Sequence, residues 1–243
     1  MKKLFILCFL SLKLMASDLV VGTTSGYAPY VSLDNQGNYE GFDIDLAQLL
    51  AKKLNKKLVL KDLGSMPSLM LALKQGKIDA LIWAVSITED RLKNYEMVYY
   101  QGDKTTETPF LFWNKIPEGI KSIEDLDKGT ICAEAGSFQE DILKKFPGIK
   151  IKNVDKVTDA IMEIKFGKSA ATTIDHSLVS RFQAQYPEIK VLNLPLPAKD
   201  QSLGNGICLN KANQELAGQV RKAVEELRAE GKIAELEKKW KLR

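Results

Sequence analysis

Histidine is almost absent from this 243-residue chain: His176 is the only one. With no second imidazole, a multi-histidine metal centre is excluded, and neither a clustered Cys/His/Asp/Glu ligand set nor a glycine-rich phosphate loop takes its place. No nucleophile–base constellation is visible either. His176 beside Asp175 is the nearest approach, and a surface histidine opening a helix is the plainer reading of it. Cysteine is scarce too, with three in all. Cys8 lies too early for lipid attachment and lacks small residues before it. Cys132 and Cys208 sit in apolar, strand-like runs far apart in sequence, which predicts buried thiols rather than a bridge. Beyond residue 16 there is no apolar run long enough for a membrane-spanning helix.

What is present begins with a short leader. Lys2 and Lys3 precede the apolar run Leu4–Leu12, and small residues follow at Ala16 and Ser17. The run is too short to span a bilayer, so an export signal cleaved near Ala16, and hence a periplasmic location, is expected. Three of the 35 basic residues (Lys2, Lys3 and Lys13) fall in that segment, which leaves 32 against 31 acidic ones. A nearly neutral remainder gives no electrostatic reason to expect nucleic acid or a membrane surface as partner, and a monomer is expected. At 45% apolar and 27% charged, the composition is that of a folded globular protein.

Strand and helix patterns alternate. Residues 19–23 read as a strand, Gly41–Leu54 as an amphipathic helix begun at Asp43, 57–62 as a strand, Pro67–Gln75 as a helix and Ile78–Val85 as a buried strand. The stripe Ile44, Leu46, Ala47, Leu50, Ala51 and Leu54 gives the first helix its apolar face. After Tyr99 the alternation pauses, then resumes with strands 109–113, 130–134, 149–154, 170–174 and 189–194 and helices 138–146, 155–166 and 176–185. A Pro-marked break at 195–204 precedes a strand at 206–209 and a helical stretch Asn213–Trp240 interrupted near Gly231. Short strands separated by helices predict an α/β protein with mainly parallel sheets. Two such units and two breaks predict a discontinuous first lobe (17–104 plus 204–243) and an inserted second lobe (105–203), with hinge segments near 105–109 and 199–203.

Candidate binding residues fall at strand ends, where open α/β sheets hold ligands. In "IDALIWAVSITEDR" an apolar run gives way to an S-x-x-E capping box from Ser86 to Glu89, with Arg91 two residues on. A helix N-terminus and a planar guanidinium together suit a carboxylate. "EAGSFQED" repeats the device with Ser137 and Glu140 after the strand 130–134. Asp175 ends the run 170–174; it suits an N-cap, and in a cleft it would also pair with an ammonium group. Arg91 and Asp175 on opposite lobes would then read the two ends of an α-amino acid. Tyr27, after Gly26, is placed to cover a ligand side chain, whereas Tyr30 suits core or turn packing. Trp83 divides evenly between core and pocket. Met66 and Leu69 suit an apolar lining or, more commonly, helix packing.

Three stretches carry a family resemblance: "GTTSGYAPYVSLDNQGNYEGFDIDLAQLLAKKLN", "GKIDALIWAVSITEDR" and "LRAEGKIAELEKKWK". They resemble the periplasmic binding proteins for polar amino acids that serve ABC importers, and "GSFQED", "AIMEIKFGKS" and "LGNGICL" resemble the chlamydial arginine-binding members. The resemblance implies the two-lobe type II fold, no cofactor or metal, an L-amino acid ligand and permease partners. It implies that Arg91 clamps the α-carboxylate with help from Ala84, Ser86, Ser137 and Phe138. Asp175 would take the α-ammonium, Tyr27 would stack over the side chain, and Met66 would lie on the other face. The chain departs from its relatives at Trp83–Ala84, where Ser or Gly is common, and at Thr24, where Asp or Glu is common in histidine and arginine binders. Thr24 removes one partner for a cationic side chain; Glu134 can supply a substitute charge and Trp83 can stack on a guanidinium. The alternatives are an enzyme on the same scaffold, of the cyclohexadienyl dehydratase kind, and a ligand-sensing ectodomain.

Overall fold

The computed structural model describes residues 17–242; the export signal expected at 1–16 lies outside the described residues. The chain opens with β1 (Asp18–Thr23), a small hairpin of β2 (Ser32–Leu33) and β3 (Tyr39–Glu40), α1 (Phe42–Lys53), β4 (Lys57–Asp62), α2 (Met66–Lys74), β5 (Ala80–Leu81), α3 (Glu89–Asn94) and β6 (Tyr95–Gln101). It continues through β7 (Glu107–Trp113), β8 (Thr130–Glu134), α4 (Phe138–Leu143), β9 (Lys150–Val154), α5 (Val157–Lys165), β10 (Ala171–Thr173), α6 (His176–Gln185) and β11 (Ile189–Pro195). It closes with β12 (Asn205–Asn210), α7 (Gln214–Ala229) and α8 (Lys232–Lys239).

These strands make two five-stranded sheets, in the orders β4-β1-β5-β12-β6 and β11-β7-β10-β8-β9. In the first, β1 runs parallel to β4 and β5 through the crossover helices α1 and α2. In the second, β8 runs parallel to β9 and β10. The result is an α/β fold of two lobes, as expected, but the sheets are mixed rather than mainly parallel. Within these two sheets the antiparallel pairings all involve the strands that carry the chain between sheets: β12 with β5 and β6, and β7 with β10 and β11. These strands are joined by direct crossings, so no helix is needed to reverse the chain. The crossings themselves pair: Thr105 N–H donates to Ser202 O at 2.9 Å and Ser202 N–H to Thr105 O at 3.3 Å.

Several elements differ locally from the sequence pattern. The apolar run 78–85 forms only the two-residue β5; residues 82–85 stay buried but leave the ladder, and Ala84 turns through φ +44°. Burial without alternation cannot separate a strand from a packed loop. The pause after Tyr99 is in fact the end of a seven-residue strand, β6, whose partner β12 lies a hundred residues later. α4 is shorter than expected, ending at Leu143 before Pro147. The break near Gly231 is real, with that residue at φ +74° between α7 and α8. Cys132 and Cys208 are free and buried.

α1 buries Phe42, Ile44, Leu46, Ala47, Leu50 and Ala51 on the first sheet, and its N-cap is Gly41, whose missing side chain lets Tyr30 O approach. Leu54, expected on the stripe, is the half-buried C-cap. Asp43 does not begin the helix. It is buried in the first turn, accepting from Ala84 N–H at 2.7 Å and from the Tyr100 hydroxyl at 2.8 Å. One carboxylate thereby fixes the left-handed turn after β5 and anchors β6.

Burial pushes the Asp43 carboxyl up to about 7. A raised pKa favours the protonated native state, so this contribution is present below the unfolded value near 4 and fades as pH rises through 7. Asp43→Ala, which orphans the Ala84 N–H and the Tyr100 hydroxyl, is expected to cost about 2–4 kcal/mol in urea unfolding. Asp43→Asn is expected to cost less than half of that and to flatten the decline in stability between pH 4 and 7.

Candidate functional site

The C-terminal ends of β1, β5, β8 and β10 converge where the two sheets face each other, and the side chains that follow them line two small adjoining chambers. The first is bordered by Tyr27, Met66, Trp83, Ala84 and Ser86 with Arg91 from one side. Glu134, Ser137, Phe138, Gln139 and Asp175 border it from the other. All ten residues expected from the sequence are therefore brought together, and Gln139 joins them. Its signal was available, since it stands in the first turn of α4, two residues after the N-cap.

Arg91 is buried at 7% exposure and touches both lobes. Its Nη1 donates to Ser86 O at 3.0 Å, its Nη2 donates to Gly136 O at 2.9 Å, and Asp141 stands 3.6 Å away. Burial lowers the pKa of the guanidinium, and the charge of Asp141 partly offsets that. A guanidinium has five N–H donors, so two main-chain carbonyls leave capacity for a carboxylate.

The two serine boxes turned out differently. Ser86 does not cap α3. It forms an antiparallel bridge with Asn205, while Ile87 N–H donates to Gly204 O at 2.8 Å, so the helix starts later. Thr88 is the cap, its Oγ1 accepting from Arg91 N–H at 3.2 Å. Ser137 does cap α4, accepting from Glu140 N–H at 3.1 Å. Glu140 reaches back one residue further than expected, to Gly136 N–H at 2.6 Å, and also accepts from Asn153 at 2.6 Å. Gly136 is where the lobes meet: a methyl group on its Cα would lie 3.1–3.2 Å from Met66 and Pro67.

Asp175 is the N-cap of α6, and its Oδ1 accepts from Ser177 N–H at 2.8 Å and Ser177 Oγ at 2.6 Å. Its Oδ2 has no hydrogen bond among the described residues. Burial first, then the charges of Asp175 and Glu134, push the Tyr27 hydroxyl pKa well up, and both carboxylates border the same chamber as that ring. Tyr27 packs against apolar clusters of both lobes and meets Trp83 edge-on, with centroids 5.6 Å apart. Trp83 is buried and also borders both chambers; its Nε1 has no partner among the described residues. Tyr30 and Leu69 are structural. The Tyr30 hydroxyl, Gln101 and Asn205 hydrogen-bond to one another beside the crossings, and Leu69 is core. The half-exposed His176 faces Glu107 at 3.8 Å.

Comparison with known proteins agrees with this architecture. Residues 19–243 match the bacterial extracellular solute-binding proteins, family 3. A probable ABC transporter arginine-binding protein of Chlamydia trachomatis is 33% identical over 229 residues, covering 93% of this chain and 87% of that protein. Among solved structures, an ancestral arginine-binding protein bound to arginine is 30% identical with a TM-score of 0.79, over 93% of this chain and 99% of that one. An ancestral arginine-binding protein bound to glutamine is 31% identical with a TM-score of 0.78, over 93% and 98%. The chain belongs to the bacterial extracellular solute-binding proteins, family 3.

Proposed function

We propose that this protein is an extracytoplasmic receptor that captures an L-α-amino acid, arginine or another polar one, between its lobes and delivers it to the permease of an ABC importer. The lobes in this reading are residues 17–104 with 204–243 and residues 105–203, hinged near 105–109 and 199–203. The observation that carries the reading is that Arg91, following β5, and Asp175, following β10, border one chamber from different sheets. Those charges match the carboxylate and ammonium of a zwitterion. Desolvated, complementary pairs of this kind lose several kcal/mol when one member is removed.

Arg91 clamps the α-carboxylate, with Ala84, Ser86, Ser137 and Phe138 around it, and Asp175 takes the α-ammonium. Tyr27, Trp83 and Met66 wall the side chain. A ligand held by both lobes interacts with the closed form alone and so shifts the population toward it, which gives the permease a distinct shape to recognise. The arginine and glutamine ligands of the similar ancestral proteins support a polar amino acid here. His176 stands 3.8 Å from Glu107 and borders neither of the two chambers.

Arg91→Ala is expected to weaken amino-acid binding at least about 100-fold by calorimetry, with an unchanged circular dichroism spectrum. Gly136→Ala is expected to weaken binding about five-fold by crowding Met66 and Pro67 in the closed form. The second effect should exceed what urea unfolding of the ligand-free protein reports.

A further inference from the structure

The second chamber shares Tyr27, Trp83 and Glu134 with the first and continues toward Asp155, Lys156 and Thr158 at the turn from β9 into α5. Glu134 ends β8 at the junction. It is buried at 9% exposure, yet among the described residues its carboxylate has neither a salt bridge nor a hydrogen bond. A buried carboxylate without a partner is strongly disfavoured, so this group favours its neutral form until a cation meets it. The charged groups around it do not complete it. Arg91 is engaged by Ser86 O, Gly136 O and Asp141. Lys156 is exposed at the N-cap of α5 and in no ion pair among the described residues, while Asp155 and Asp175 are acidic and Tyr27 stays protonated.

Resting on the amino-acid receptor reading, we infer that Glu134, backed by Asp155, is the selectivity residue: it receives a guanidinium or ammonium at the end of the ligand side chain and loses a proton in doing so. Tyr27 and Trp83 supply aromatic surface beside the junction, which suits a cation. The balance is simple. The ligand arrives charged, the carboxylic acid releases H⁺ to water, and a carboxylate–cation pair remains in the cleft. Burial, then the nearby Asp155 charge, raises the Glu134 pKa from 4.5 to about 8. At pH 7 the ligand-free protein therefore mostly carries this proton, and binding a cation expels it. Affinity for a cationic ligand should rise with pH and level off above about 8, the reverse of a site whose carboxylate is already ionised.

The test is calorimetric titration of the full protein with L-arginine, L-lysine and L-glutamine at pH 6, 7 and 8.5, in buffers of differing ionisation enthalpy. The expected result is release of most of one proton per L-arginine at pH 7, with affinity rising from pH 6 to 7 and levelling off near 8. Glu134→Gln, isosteric with the protonated acid, should abolish the release. It should also weaken L-arginine at least about ten-fold at pH 8.5 while changing L-glutamine less than about three-fold. Asp155→Asn, at an exposed position, should move the levelling-off to lower pH and keeps the test open if Glu134→Gln fails to fold.

L-arginine binding with no proton release, or unaltered by Glu134→Gln, overturns the inference while leaving the receptor reading intact. So does tighter binding of L-glutamine that persists in Glu134→Gln, which would give the side-chain contact to the unpartnered Trp83 N–H instead. If the native protein binds no amino acid, or Arg91→Ala binds as well as native, the receptor reading falls and this inference with it.

Discussion

One guanidinium joins the two sheets' loops. Arg91 leaves α3 in one lobe and divides its donors between Ser86 O of that lobe and Gly136 O of the other. Few side chains could serve there. The position is buried, so the charge must be met on all sides, and a planar fork can satisfy carbonyls in two directions while keeping donors for a third partner. Much of the surrounding geometry serves that placement. Thr88 caps the helix through the Arg91 N–H, the Asn205 bridge aligns Ser86, and Glu140 pins Gly136 N–H so that Gly136 O faces the arginine's side of the cleft.

A second tier of polar groups sits underneath. Asp43 grips the turn at Ala84, and Tyr30, Gln101 and Asn205 bond to one another where β6 leaves and β12 enters the first sheet. The paired crossings at Thr105 and Ser202 lie just beyond. In the proposed reading, lobe closure on such a scaffold would concentrate backbone change in two short segments while the sheets move as bodies. Residues far apart in the sequence, Arg91 and Asp175 among them, then meet only when the lobes do. A zwitterion that satisfies both is, in that reading, a bridge between bodies, and Glu134 is the group proposed to distinguish one zwitterion from another.

Much of this was readable in the chain. The ends of apolar runs marked the places where Tyr27, Arg91, Ser137 and Asp175 would stand, because strand termini that turn into helices are where α/β sheets expose their polar groups. The Asp175 cap and the Ser137 cap followed from local chemistry alone. What was not readable depended on distant partners. β6 looked like a pause because its alternation is completed by β12, and the run 78–85 looked like a strand because burial by α1, α2 and β12 leaves the same apolar imprint on a loop. The Ser86 box failed for the same reason: Asn205, more than a hundred residues away, competes for that backbone and wins. Mixed sheets followed from the two crossings, whose direction no local pattern records.

The central claim is that both poles of an amino acid are read, one by each lobe. It is tested most directly by comparing the tightest-binding L-amino acid with its decarboxylated amine in the same calorimetric titration. The account predicts that removing the α-carboxylate, and with it the partner of Arg91, weakens binding at least about 100-fold. An amine that binds within about three-fold of its parent amino acid would contradict it, since differences that small lie within the reach of an exposed contact.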